Sequence, residues 1–137
     1  MSGSPSWPLQ QAVYTRLSGD TELTTTLGAS VYDFVPDSAA FPYVTIGDVT
    51  EAPNDTMGRT GRDLTITVHA WSQGEQGMET VQKIADRVDD LLDRWSPTVT
   101  GWTAATMLRE FFETMRDPDA LTRHGIARYK IHLNVAV

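Results

Sequence analysis

Glu75-Gln-Gly-Met-Glu-Thr-Val-Gln-Lys-Ile-Ala-Asp-Arg-Val-Asp-Asp-Leu-Leu-Asp-Arg-Trp95 is the most strongly patterned stretch of the chain. Its apolar residues Met78, Val81, Ala85, Val88, Leu92 and Trp95 recur in alternating steps of three and four, which is the period of an α-helix with one apolar face. Ile84 and Leu91 widen that stripe, and Glu79, Lys83, Asp86, Arg87, Asp89, Asp90, Asp93 and Arg94 cover the other side. The spacing predicts a helix over 75–95, about 30 Å long, which is enough to cross a small sheet. Ser96-Pro97 stops it, because the residue before a proline is pushed out of helical geometry.

Working outward, the segment before this helix reads as β. In Arg62 to Ser72, Leu64, Ile66, Val68 and Ala70 point one way and Asp63, Thr65, Thr67 and His69 the other. Further upstream, Phe41 to Asp48 is a strand with Pro42 at its start, and Val31–Val35 is a short strand ended by Pro36. Residues 50–61 read as a long polar loop, and an unstructured run of that length in a compact domain is usually functional or mobile. Nearer the N-terminus, Leu9, Val13 and Leu17 place a helix over Pro8 to Ser18, and Asp20 caps a short second helix carrying Leu23 and Leu27. Residues 1–6 are small and polar and read as a loose terminus. Downstream of the long helix, Trp102 to Met115 and Ile126 to Val137 read as strands joined by a turn at Arg116–Arg123. The expected fold is α+β: one domain over 1–137, with a mixed or mainly antiparallel sheet of about five strands, packed by one long helix and one or two N-terminal helices.

Composition narrows the function classes. The chain has 137 residues, 40% of them hydrophobic and 21% charged, which suits a single globular domain. It contains no cysteine, so disulfides, thiolate metal sites and cysteine nucleophiles are excluded. With 11 basic and 18 acidic residues the formal net charge is −7, the wrong sign for general nucleic-acid binding. No stretch approaches the ~20 apolar residues of a membrane-spanning helix.

Motifs for chemistry are absent. His69, His124 and His132 lack metal-ligand spacing; two read as outward residues on strands and His124 as a turn residue. Asp86, Asp89, Asp90 and Asp93 share one side of the long helix and read as a solvated face rather than a carboxylate site. Gly58-Arg-Thr-Gly-Arg62 leads into a strand, whereas a phosphate cradle opens a helix. It reads better as an arm that orders against a neighbour, with Arg59 and Arg62 pairing acidic groups of another subunit. No catalytic, cofactor-binding or metal-binding residue is assigned, and no cofactor is expected. The candidate interface residues are Asn54, Asp55, Met57, Arg59, Arg62, Trp71, Trp102, Arg123 and His124.

The order of three segments carries a resemblance. These are Phe41-Pro-Tyr-Val-Thr-Ile-Gly47, then Val68-His-Ala-Trp-Ser72 leading through Gly74 and Glu75 into the long helix, and finally Asp117-Pro-Asp-Ala-Leu-Thr-Arg-His-Gly-Ile-Ala-Arg-Tyr129. Over Leu9 to Leu133 the chain resembles the tail terminator (tail completion) family of long-tailed phages and related gene transfer particles, with Ala120 where that family usually has a glycine. The resemblance implies a homo-hexameric ring that caps the tail tube, stops its growth and offers a surface for joining the head. The implied partners are a tail tube protein and a head–tail connector or stopper, at the tail–neck junction of a virion assembled in the host cytoplasm. DNA would pass through the lumen without specific binding. The alternatives are a neck or head-completion protein on the portal side, and a small α+β ligand-binding domain or enzyme.

Overall fold

A computed structural model describes residues 3–55, 57–74, 76–119 and 121–136. Its elements are α1 (Ser6–Ser18), a single π-helical turn (Glu22–Thr26), β1 (Ser30–Tyr32), β2 (Tyr43–Pro53), β3 (Gly61–Gln73), α2 (Gly77–Leu92), β4 (Trp102–Ala104), β5 (Leu108–Arg116) and β6 (Thr122–Val135). The sheet runs β1-β2-β3-β6, with β1 parallel to β2 and the other pairings antiparallel. The far edge of β6 is shared: β5 pairs with its first part, from Arg123 to Lys130, and β4 with Leu133 to Val135. The α+β class is as expected, with six strands rather than about five.

The alternation read from β3 and β6 is the alternation observed. Leu64, Ile66, Val68 and Ala70 of β3 are buried, as are Ala127, Tyr129, Ile131 and Leu133 of β6. They join Leu9, Val13 and Leu17 of α1 and Val81, Ile84, Val88, Leu91 and Leu92 of α2 in one continuous core. Both helices thus lie on one face of the sheet, and no helix covers the other face among the described residues. Polar ties fix the helices in place. Arg87 of α2 donates from Nε and Nη2 to the two carboxylate oxygens of Asp20, at 2.8 and 2.7 Å. The same carboxylate accepts the Leu23 N–H at 2.9 Å, so Asp20 caps the short turn as its sequence position suggests.

Four expectations need correction. First, α2 ends at Leu92, three residues before Trp95, because tertiary hydrogen bonds capture the chain. Arg94 N–H donates to Met107 O at 2.6 Å, Met107 N–H to Trp95 O at 2.8 Å, and Arg109 N–H to Asp93 Oδ1 at 2.9 Å. Arg94 absorbs the turn with φ +63°, and Trp95 ends up half-buried under the Arg16 guanidinium, 4.7 Å from its ring. Second, those same bonds pull Ala105–Met107 out of line, so the single strand expected over Trp102 to Met115 is two, β4 and β5. Third, residues 50–53 are not loop. Beyond an irregularity between Ile46 and Val49, Thr50 to Pro53 pair with Thr65 to Arg62, and β2 and β3 form one long hairpin. Fourth, β1 stops at Tyr32, short of Val35: only Ser30–Tyr32 pair with β2, against Tyr43–Thr45, and the next residues of β2 fall at its irregularity between Ile46 and Val49.

Candidate interaction surfaces at the two ends of the sheet

The candidate interface residues gather at opposite ends of β3, about 30 Å apart at the usual rise per strand residue. One group is the tip of the β2–β3 hairpin. Its neck closes with Asn54 N–H donating to Gly61 O at 3.0 Å, and Gly61 N–H donating to Asp55 Oδ1 at 2.9 Å. Asn54 Nδ2 donates to Asp63 at 2.9 Å. Only glycine fits at position 61, since a Cβ there would stand 2.1 Å from the Asn54 carbonyl oxygen. Met57 projects from the tip with its side chain fully exposed.

The two arginines of this arm are engaged within the chain, which corrects the expectation that they await a neighbour's carboxylates. Arg62 lies 3.3 Å from Glu51 and 3.4 Å from Asp55. Arg59 Nη2 donates to Val135 O at 2.7 Å, packing the arm against the end of β6. Glu51 also accepts the hydroxyls of Ser4 and Ser6, which moor the start of α1 beside the hairpin. Those hydroxyls, with Arg62 nearby, hold the Glu51 carboxyl below the usual carboxylate range. Thr56 lies outside the described residues.

The other group sits at the far end, where Tyr43, Trp71, His124 and Met115 stand opposite one another across β2, β3, β6 and β5. All four belong to the face that carries no helix. Trp71 lies flat on His124, with ring centroids 3.7 Å apart and planes 11° from parallel, and it also stacks on Tyr43 at 6.4 Å. Tyr32 and Phe41 extend the row at 5.8 and 5.0 Å from Tyr43. Trp71 Nε1–H donates to Thr45 Oγ1 at 3.3 Å. His69 Nδ1 and His124 Nε2 are 2.7 Å apart. Burial lowers both imidazole pKa values, opposed by Asp48 at His69 and by Asp117 at His124; the neighbouring His69 lowers His124 further.

Three candidates stand differently from expectation. Trp102 is buried in the core and donates its Nε1–H to Gly3 O at 3.1 Å, so it offers no surface for contact. His124 lies in β6 and not in a turn, because β6 begins four residues before Ile126 and pairs with β3 along its whole length. Arg123 and His124 are adjacent, so the strand alternation sends them to opposite faces. Arg123 packs beside Gly77 at the start of α2, and His124 joins the aromatic row. The Asp-rich side of α2 is also divided. Asp86 and Asp90 are exposed, whereas Asp89 accepts the Tyr129 hydroxyl at 3.1 Å and lies 3.6 Å from Arg109, and Asp93 accepts the Arg109 N–H. Glu75 and Ala120, which belong to the segments carrying the resemblance, lie outside the described residues.

Sequence reading missed Tyr43 and His69 as members of this surface. Each occupies an outward position at the same sheet end as Trp71, but that is visible only once the cross-strand register is known. It also missed the exposed apolar groups Trp7, Tyr14, Phe34 and Leu121. The two closest imidazoles, His69 and His124, face each other. Among the described residues no group of three or more His, Asp and Glu side chains is placed to hold a metal ion.

Residues 11–133 match the family model described as tail completion protein gp17. The chain belongs to the tail completion protein gp17 family. It is 29% identical over 94 residues to the tail completion protein gp17 of Bacillus phage SPP1, covering 69% of each chain. Two solved structures share its fold. A chain of the virion of a native gene transfer agent particle superposes with a TM-score of 0.87 at 22% identity, covering 97% of this chain and 99% of its own. The gp17 protein of bacteriophage SPP1 superposes with a TM-score of 0.59 at 24% identity, covering 92% and 88%.

Proposed function

We propose that this protein is a structural virion component, a tail terminator that assembles as a six-membered ring on the last ring of the tail tube. The ring stops tube growth and presents the surface to which the head joins, at the tail–neck junction. The observation that carries this reading is the family match over residues 11–133, nearly the whole chain. Its partners are further copies of itself, a tail tube protein on one side and a head–tail connector or stopper on the other. It performs no catalysis.

The geometry fits such a role. A closed ring is built from heterologous contacts, in which two different patches on each subunit meet. The hairpin tip and the aromatic row are two chemically different surfaces at opposite ends of one sheet, and Met57 and Trp71 are the side chains we assign to subunit or partner contact. The hairpin tip, closed at its neck within the monomer, meets its partner in the assembly. Six copies at −7 each carry a formal charge of −42, which favours passage of DNA over retention. Mixing the purified protein with preformed tail tubes tests the proposal. Electron microscopy should show a six-fold cap at one tube end and arrest of further tube growth. Binding to isolated portal with none to tubes would instead mark a head-completion protein.

A further inference from the structure

The two imidazoles on the open face of the sheet are joined in a way that fixes how many protons they can hold. His69 Nδ1 and His124 Nε2 are 2.7 Å apart, with ring centroids 4.9 Å apart and planes 27° from parallel. That centroid separation equals the nitrogen–nitrogen distance plus roughly one ring radius on each side, so the rings lie edge to edge with these nitrogens head-on. A metal ion does not fit between them, since each imidazole–metal bond needs about 2.0–2.1 Å. A proton does. The strand opposite makes room for the pair: at Gly47 of β2 a Cβ would stand 2.7 Å from His69 Nε2.

One hydrogen bond between two imidazoles requires one donor nitrogen and one acceptor nitrogen. With no excess proton the pair satisfies this. With one, an imidazolium donates to a neutral ring and the bond is charge-assisted. With two, both facing nitrogens carry hydrogen and no acceptor remains. We propose that His69 and His124 form a proton-operated latch joining β3 to β6 on the open face, closed with at most one excess proton and opened by the second. Because His124 lies flat on Trp71, opening lifts it from the indole and breaks the aromatic row. Acid therefore remodels this end of the sheet without touching the core, whether or not the protein forms a ring.

The surrounding charges tune the latch without removing it. Asp48 from β2 faces His69, and Asp117 from the β5–β6 turn faces His124; both favour protonation. Glu113 of β5 stands in the same cross-strand row as His69, with Ile126 between them. Arg116 and Arg123, opposite each other on β5 and β6, lie at this end but on the helix-covered face, whereas Arg128 of β6 shares the open face, its guanidinium 4.9 Å from the Phe111 ring. Tyr43 stays neutral, its pKa raised by burial and by Asp117. Burial, the largest influence on both imidazoles, favours the neutral forms.

Nuclear magnetic resonance titration of the wild-type protein, following the imidazole carbon-bound protons and the Trp71 indole N–H, tests this directly. Two coupled histidine steps more than one pH unit apart are expected, the second shifting both rings and the Trp71 signal together. In the H69Q variant His124 should titrate in a single step. Independent single-step titration of His69 and His124 in the wild type, with Trp71 unchanged across the lower step, would overturn the proposal. The wild-type curves decide it even if H69Q does not fold.

Discussion

Gly61 and Asp20 show how single residues position the surfaces. Gly61 stands against the Asn54 carbonyl so closely that Gly61→Ala must push the hairpin neck apart, at a cost of about 1–3 kcal/mol. Urea denaturation should register that loss, and an unchanged midpoint would mean the neck is not closed as described. Asp20 caps one turn and holds Arg87 through two charged hydrogen bonds, so Asp20→Ala should cost about 1–3 kcal/mol. Its pKa is lowered chiefly by Arg87, and those of Glu51 and Asp119 are lowered by hydroxyl and backbone donors. Groups with depressed carboxyl pKa values stabilise the folded state above the ordinary carboxylate range and lose that contribution as pH falls through the folded value. The melting temperature should therefore drop below about pH 4. His69 and His124 add an earlier limb: their folded values are also depressed, so their contribution is complete above about pH 6.5 and declines as pH falls below it. The cap at Asp20 was legible in the sequence because Asp before a short apolar run is a local signal. The Arg87 pairing, 67 residues away, has no local signal at all.

Among the elements, α2 and β3 were legible because their apolar periods are long and uninterrupted. Ile84→Ala on the buried face of α2 should cost about 2–5 kcal/mol in thermal or chemical unfolding, while Lys83→Ala one residue away, on the exposed side, should change little. What misled the reading were the places where distant backbone overrides local preference. The helix stripe continues to Trp95, yet Met107 O claims the Arg94 N–H and the helix stops at Leu92. The strand pattern runs through Ala105–Met107, yet the same contact bends the chain. Thr50 to Pro53 look like loop because they are polar and contain a proline, and they are strand because β3 supplies the partner. The candidate surfaces were legible as residue types only. Met57 and Trp71 could be picked out as an exposed loop tip and an outward strand aromatic. The partnership of His69 with His124, the opposite facing of Arg123 and His124, and the burial of Trp102 follow from the register of β6 on its neighbours, which no single segment encodes.

At the scale of the whole molecule, one face of the sheet is sealed by two helices and the other carries a row of aromatic rings, with a hairpin at the far end. A monomer gains nothing in stability from an exposed methionine at that tip, so Met57→Glu should leave the melting temperature unchanged and weaken assembly on tubes. Loss of folding in that variant would show instead that the tip serves the monomer. The central claim is that this protein ends tail growth, and tail length reports it most directly. Particles assembled without the protein should show tails of irregular length, many longer than normal, in electron micrographs, and adding the purified protein during assembly should restore one length. Tails of normal, uniform length in its absence would contradict the account.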